Sequence, residues 1–180
     1  MKRSVNSDSN KGRDSPRDEF SKSKLIMSLD YIFGRGTSKG FHFSNVEFQY
    51  SRRTGRLKYV LDESTGQILF SFRPNGSIAP TVAGASRLIC KKGKLRQFTS
   101  RPKWTVTVIN GVSEVVSKGK TVFCKHVAYC SDSLRSGEDV AILNEDGALL
   151  AVGRAVLAGP FMKQFKRGPA VKIREGTGQI

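Results

Sequence analysis

Short apolar runs, separated by turns that contain glycine, constrain the fold of this chain more than any other feature of its sequence. In the first half the runs have alternating apolar residues, as in Val46, Phe48 and Tyr50. The connections RRTG, DESTG and RPNG have the composition of tight turns, in which glycine adopts positive φ. Strands joined by such turns pair antiparallel. The sequence therefore predicts a three-stranded meander, at residues 46–50, 57–61 and 67–72.

Two helices are predicted around this meander. Leu25, Leu29 and Phe33 repeat at helical spacing after Ser23, a residue type that caps helices well. A second apolar stripe predicts a helix at residues 79–89. Together these elements make a small α+β domain over residues 23–98. Residues 1–22 are polar and carry too little apolar surface to offset the entropy lost on ordering, so we expect a disordered tail there.

The second half has more strand-like runs, and they are short. They lie at residues 104–109, 121–129, 140–143, 149–157 and 169–175. Short helices are predicted at residues 113–117 and 161–167, and Gly119 is expected to end the first of them. Trp104 is expected in the core. Phe123 could stack on a terminal base, but a phenylalanine in the middle of a strand is more often a core residue, so we expect it there too. Short strands with glycine-centred turns favour a β-barrel of about five strands at residues 99–180, so the whole chain is predicted to be α+β.

The chain is strongly basic. It contains 31 Lys and Arg residues against 15 Asp and Glu, a formal net charge of +16. Proteins this basic bind polyanions, either nucleic acid or an anionic membrane surface. No apolar run approaches the ~20 residues of a membrane span, and no long basic amphipathic helix is apparent, which favours nucleic acid. The N-terminus has no apolar signal segment and the 3 cysteines are irregularly spaced, so we expect a cytoplasmic protein.

Three stretches of the second half together resemble a PUA domain, a small β pseudo-barrel found in RNA-modifying enzymes. They are SKGKTVFCKHV, LRSGEDVAILNEDGALLAVGRAVL and FKRGPAVKIREG, and the similarity covers residues 103–176. In the first half, DYIFGRG and RTGRLKYV resemble the domain that precedes the PUA domain in archaeal tRNA-guanine transglycosylase, an enzyme of the archaeosine pathway. That similarity covers residues 24–100, and related architecture occurs in archaeosine synthase. The chain thus resembles the C-terminal pre-PUA and PUA part of such an enzyme.

This resemblance implies RNA binding, with tRNA as the expected RNA, and no catalysis by this chain. In the transglycosylase the PUA barrel holds the acceptor end of tRNA, while a separate larger barrel carries out the reaction. That larger barrel has no counterpart in this sequence. A stand-alone pre-PUA/PUA chain would be a non-catalytic accessory of tRNA modification, or a subunit that works with a catalytic transglycosylase-type chain. The residues that would meet the acceptor end are Lys118, Gly119, Lys120 and Lys125.

Neutralisation of phosphate by Lys and Arg supplies most RNA affinity. Further cations that could contribute lie at three places. Gly153 fits a bend of the barrel or the close approach of another backbone, and Arg154 beside it is either an outward barrel residue or a phosphate contact. The last helix and strand carry Lys166, Arg167, Lys172 and Arg174. One hairpin carries Arg52, Arg53 and Arg56. We predict a continuous basic surface across residues 52–58, 91–103 and 166–174.

The sequence predicts no catalytic residue, no metal and no cofactor. Cys124, His126 and Cys130 would share one face of a strand, but they lack a fourth zinc ligand, so we interpret them as packed side chains. The adjacent acid pairs lie in predicted turns. Two other functions stay open. One is a ribosome- or translation-associated RNA-binding protein, and the other is an enzyme that uses the glycine-rich segment 33–41 of the first domain.

Overall fold

A four-stranded antiparallel sheet, β1-β2-β3-β4, forms the first half of the chain together with two helices. The computed structural model describes residues 16–43, 45–91, 94–95 and 102–179, so residues 1–15 of the predicted tail lie outside it. The element bounds are α1 Pro16–Phe33, β1 Val46–Tyr50, β2 Leu57–Asp62, β3 Ile68–Phe72, β4 Ile78–Pro80, α2 Val82–Ile89, β5 Cys90–Lys91 and β6 Lys94–Leu95. The predicted meander is confirmed, and β4 extends it by one strand.

Helix α1 begins at Pro16, well before the predicted start at residue 23. Proline is favoured in the first turn of a helix, and the acidic side chains of that turn stabilise the positive end of the helix dipole. Ser21 is buried, and its hydroxyl lies 2.8 Å from the hydroxyl of Tyr50 on β1. The prediction of a disordered tail is therefore wrong for residues 16–22.

Helix α2 begins at Val82 rather than at Ala79 because Pro80 intervenes. A residue before proline is kept out of the helical conformation, so this segment pairs with β3 as strand β4 instead. Thr81 then caps the helix, since its Oγ1 accepts a hydrogen bond from the Gly84 N–H at 3.1 Å.

The second half forms a six-stranded sheet that nearly closes into a barrel. The strand order is β8-β12-β11-β10-β7-β9, in which β7 and β10 are parallel and the other neighbours are antiparallel. The bounds are β7 Thr105–Val108, α3 Ser113–Ser117, β8 Val122–Phe123, β9 Val127–Cys130, β10 Asp139–Leu143, β11 Leu149–Ala155, α4 Gly159–Gln164 and β12 Pro169–Gly176. In the described part of the chain, no helix has both the length and the apolar character needed to cross a membrane.

Two predicted elements of this half are corrected. The strand predicted at residues 121–129 is broken by a 3-10 turn at Cys124–His126, which carries the chain from one outer strand of the sheet, β8, to the other, β9. The break raises the strand number from about five to six. Helix α4 lies at Gly159–Gln164 rather than at residues 161–167, because Pro160 is accommodated in its first turn.

Gly153 occupies a point where two strands of the barrel come unusually close. A β-carbon at this position would lie 2.5 Å from the carbonyl oxygen of Lys172 on β12. The pairing of β11 with β12 also shifts register between Val152 and Gly153. The predicted close approach of another backbone at Gly153 is confirmed.

The apolar core of the first half continues into the barrel. Phe33 at the end of α1 packs on Trp104, with ring centroids 4.6 Å apart, and the predicted burial of Trp104 is confirmed. Three barrel residues, Ala141, Leu143 and Val152, belong to the same buried cluster as the first half. The two halves are therefore packed against each other through a shared core.

A buried carboxylate joins the two halves at the surface of this core. Asp139 at the start of β10 accepts two hydrogen bonds from Arg73, at 2.5 and 2.9 Å, and a third from Arg174, at 2.5 Å. Arg174 also donates to the Pro80 carbonyl oxygen, and Glu175 accepts the Val82 N–H at 3.1 Å. Strand β12 of the barrel is thereby tied to the start of α2.

Candidate nucleic-acid interface

The turn after α3 exposes two of the predicted binding lysines. Gly119 has φ +84°, and its N–H donates to the Val116 carbonyl at 2.9 Å, as expected of a glycine that ends a helix. On either side, Lys118 and Lys120 are exposed. The Lys118 ammonium pairs with Glu114 at 2.6 Å, and this pair lowers the pKa of the Glu114 carboxyl.

Pairing of β8 with β12 brings two of the predicted binding segments together. Phe123 is the register partner of Pro169, and the Cys124 N–H donates to the Gly168 carbonyl at 3.0 Å. Exposed Lys125 therefore lies next to the turn that carries Lys166 and Arg167, which are also exposed. The predicted cations of residues 118–125 and 166–167 thus lie along one edge of the barrel.

Half-exposed aromatic rings lie among these cations. Phe161 on α4 and Phe165 just after the helix stack with ring centroids 5.8 Å apart, immediately before the Lys166 turn. Phe123 is exposed on β8, so its prediction as a core residue is wrong: successive strand side chains point to opposite faces, and here Val122 is the buried one. We call Lys120, Lys125, Lys166, Arg167, Phe123, Phe161 and Phe165 the edge surface.

Phe161 and Phe165 were not predicted as binding residues from the sequence. Their spacing of four residues, in FMKQFKR, would place both rings on one helix face. The flanking Lys163 lies 5.6 Å from the Tyr129 ring centroid and pairs with Asp132 at 2.8 Å, which raises the pKa of its ammonium. Interleaved cations and aromatic faces are the chemistry that binds unpaired nucleotides.

The arginine hairpin between β1 and β2 is a second basic site. Arg52, Arg53 and Arg56 are all exposed. The Arg17 guanidinium adds a further cation: it donates to the Gly55 carbonyl at 2.5 Å and lies over the Tyr50 ring, 3.8 Å from the centroid. None of the three predicted arginines forms an ion pair with another described residue.

The remaining predicted residues lie on the neighbouring strands β11 and β12. Arg154 is exposed, and its Nε donates to the Gly137 carbonyl at 2.8 Å. Exposed Lys172 is its register partner on β12. The Arg174 guanidinium is held by Asp139 and so contributes to the junction. Most of segment 91–103 lies outside the described residues, so the continuous basic surface stays a prediction.

The glycine-rich segment 33–41 does not form a phosphate cradle. A cradle needs backbone N–H groups that point outward. Here the Ser38 N–H donates to the Asp30 carboxylate at 2.7 Å, and the Thr37 and Lys39 N–H groups donate to carbonyls within the segment. The Asp30 carboxylate, which lies on α1 and accepts this bond, would also repel a phosphate. This arrangement gives no support to a nucleotide site there.

The cysteine and histidine set does not converge. The turn at Cys124–His126 breaks the strand on which these side chains would have shared a face. Cys124 and Cys130 are buried, and burial raises the pKa of both thiols. A protonated thiol is neither a nucleophile nor a metal ligand. Among the described residues, no three His, Cys, Asp or Glu side chains are grouped to hold a metal ion.

Two protein-family models match the chain, one on each half. Residues 24–96 match the patch-forming domain C2 of tRNA-guanine transglycosylase, and residues 104–177 match the PUA domain. The chain is a C2-type domain followed by a PUA domain. The resemblance inferred from sequence and the predicted α+β fold with a PUA pseudo-barrel are both confirmed. The edge surface belongs to the PUA domain and the arginine hairpin to the C2 domain.

The sequence relatives are archaeal enzymes. The chain is 36% identical over 153 residues to the tRNA-guanine(15) transglycosylase of Methanocaldococcus jannaschii, and 32% identical over 163 residues to that of Methanobrevibacter smithii. These alignments cover 85% and 89% of this chain but only 22% and 23% of the enzymes. The chain therefore spans about a fifth of the length of the curated relatives it matches.

Solved structures share the fold. A hypothetical protein from Pyrococcus horikoshii superposes with a TM-score of 0.66 at 23% identity, over 88% of this chain and 90% of that one. A conserved PUA domain protein from Thermoplasma acidophilum gives a TM-score of 0.60 at 18% identity, over 89% and 91%. The superpositions span most of this chain and of both solved chains, so the shared fold extends over both halves of the chain.

Proposed function

We propose that this chain binds tRNA and acts as a non-catalytic module of tRNA modification. The edge surface carries the proposal. Its cations Lys120, Lys125, Lys166 and Arg167 are exposed and form no ion pair with a described residue. Half-exposed aromatic rings lie beside them, so the surface offers both phosphate contacts and stacking faces.

The acceptor end of tRNA is the proposed ligand of this edge. An acceptor end combines a duplex, whose phosphates suit the lysines, with unpaired 3′ nucleotides, whose bases suit Phe123, Phe161 and Phe165. The turn between Lys118 and Lys120 has a positive φ at Gly119, a conformation that favours glycine. Because glycine has no side chain, a phosphate could approach the backbone there. Relatives that share both domains are named tRNA-guanine(15) transglycosylases, which supports tRNA as the RNA.

A catalytic transglycosylase-type chain is the proposed protein partner, in the cytoplasm. The chain spans about a fifth of the length of its relatives, and a transglycosylase-type chain would supply the part of such an enzyme that this sequence does not cover. The inward-directed N–H groups of segment 33–41 and the burial of Cys124 and Cys130 support a chain without a reaction of its own. Co-purification of a transglycosylase-type chain with the tagged protein, resistant to nuclease, is the expected result.

A binding titration tests acceptor-end capture. Intact tRNA and tRNA trimmed of its 3′ CCA are titrated against the full chain at 50 and 200 mM salt. We expect tighter binding of intact tRNA at both concentrations. Equal affinity for the two, with a steep salt dependence, would mean phosphate binding alone and would favour the ribosome- or translation-associated alternative.

Variants assign the binding to the edge surface. Replacing Lys125 and Arg167 by alanine removes two phosphate contacts, so the slope of log K against log salt should fall by about 2. Lys39→Ala is the matched control, because Lys39 is an exposed lysine of the C2 domain outside the edge surface. A double variant that binds intact tRNA with the wild-type affinity and slope would contradict the assignment.

A further inference from the structure

Three cavities adjoin one another around the turn between β3 and β4, on the face where the two domains meet. Their volumes are about 510, 570 and 470 Å³. Gly76 of the turn lines the first two, Asn75 and Ser77 line the last two, and Arg73 lines the first and the last. The cavities thus form one groove, the interdomain groove, that runs from the arginine hairpin of the C2 domain to the PUA domain.

The C2 end of the groove is strongly basic. Besides Arg73, which is paired with Asp139, it is lined by four cations, Lys24, Arg53, Arg56 and Lys58, and among the residues that the structure describes no carboxylate lines it. The Lys24 ammonium lies 5.3 Å from the ring centroid of Phe72, and the Lys58 ammonium lies 4.7 Å from that of Tyr59. Four like charges around one cavity repel each other, and a phosphate in the cavity would relieve that repulsion.

The middle of the groove offers a stacking face. Tyr31 and Met27, one helical turn apart on α1, are 84% and 71% exposed. Both line the middle cavity with Asn75 and Ser77. A tyrosine this exposed buries almost none of its ring within the described fold, so its ring is available to a planar ligand.

The PUA end of the groove is again basic. Lys103, Arg135 and Arg154 line it, and the bond from Arg154 Nε to Gly137 orients the guanidinium while leaving its two Nη groups for a ligand. Of the two acids there, Asp139 is already paired with Arg73 and Arg174. The end therefore keeps a surplus of positive charge.

We propose that the interdomain groove binds an unpaired segment of RNA, with phosphates at its two basic ends and a base stacked on Tyr31. The inference rests on the proposed RNA binding but concerns a surface separate from the edge surface. The bases of a duplex are paired and stacked within the double helix, so none of them could stack on Tyr31. An acidic peptide could neutralise the cations, but it has no planar base that could stack on the Tyr31 ring.

The test uses a fluorescein-labelled octauridylate strand and the full chain. Tyr31→Ala should weaken binding about tenfold, the effect of losing one stacked base, and Tyr31→Phe should retain it. Replacing Arg53 and Arg56 by alanine should lower the salt slope by about 1.4, at 0.7 per phosphate contact of a single strand. Phe20→Ala is the control, because Phe20 is 69% exposed on the same helix but lines none of the three cavities.

The outcomes separate this inference from the proposed function. Loss of octauridylate binding in Tyr31→Ala, with Phe20→Ala unchanged, supports the groove even if trimmed and intact tRNA bind alike. Octauridylate binding that is absent, or is unchanged in Tyr31→Ala, overturns the groove even if the edge surface captures intact tRNA. Displacement of the labelled strand by octaglutamate as effectively as by unlabelled octauridylate would also overturn it, since charge alone would then account for binding.

Discussion

Removal of the Asp139 carboxylate should destabilise the protein strongly, because this group joins the two domains. It is only 4% exposed and accepts three hydrogen bonds from guanidinium groups, at 2.5, 2.9 and 2.5 Å. Breaking a buried ion pair costs about 3–5 kcal/mol. Arg73 and Arg174 are 30% and 37% exposed and can be rehydrated, so we expect Asp139→Ala to cost ~3 kcal/mol, at the lower end.

Thermal unfolding followed by circular dichroism at pH 7 measures this cost. For a chain of 180 residues, ~3 kcal/mol corresponds to a fall in Tm of about 6–12 °C. Asp132→Ala is the matched control, since it removes the same charge from an exposed ion pair with Lys163, which contributes at most about 1 kcal/mol. A Tm for Asp139→Ala within 2 °C of the Asp132→Ala value would refute the reasoning.

Two further predictions concern one carboxyl and one glycine. Hydrogen bonds from Ser64 and Thr65 help to lower the pKa of Asp62 to about 2, below its value of about 3.9 in an unfolded chain. Ionised Asp62 therefore stabilises the fold above pH 4, and this contribution is lost as the pH falls towards 2. Asp62→Asn should for this reason flatten the decline of Tm between pH 5 and 2. A decline of Tm that is the same as in the wild type would contradict this. Gly153→Ala places a β-carbon 2.5 Å from a backbone carbonyl oxygen and should lower the free energy of unfolding by about 1–3 kcal/mol, measured by denaturant unfolding. Gly111→Ala is the control and should not lower it, because a β-carbon at Gly111 would meet open space. Equal denaturant midpoints for the two variants would show that β11 and β12 can move apart to admit the methyl group.

Elements fixed by local chemistry were predictable from the sequence. The strands β1, β2 and β3 follow from alternating apolar residues between glycine turns, and Gly55, Gly66 and Gly76 all adopt the positive φ that those turns require. Helix α3 and its terminal Gly119 follow in the same way. Periodicity is a property of a few neighbouring residues, so it can be recognised without knowledge of the fold.

Features that depend on distant contacts were not predictable. Arg73 and Asp139 are far apart in sequence, and neither residue type nor spacing marks them as partners. Phe123 was expected in the core because apolar strand residues usually are, but on the short strand β8 it is Val122 that points into the core and Phe123 that points outward. The interdomain groove exists only because α1, the β3–β4 turn and the barrel meet, so no single segment of sequence indicates it.

The shared core around Trp104 has a consequence for how tightly an RNA can be held. Domains joined by a loose linker must be frozen relative to one another when both contact a ligand, and that loss of freedom weakens binding. Here Phe33, Trp104, Ala141, Leu143 and Val152 already lie in one buried cluster, so the relative orientation of the two domains is established before any ligand arrives. The contact free energy of an RNA that spans both domains can then appear as affinity, and RNAs whose shape does not match this preset geometry are rejected.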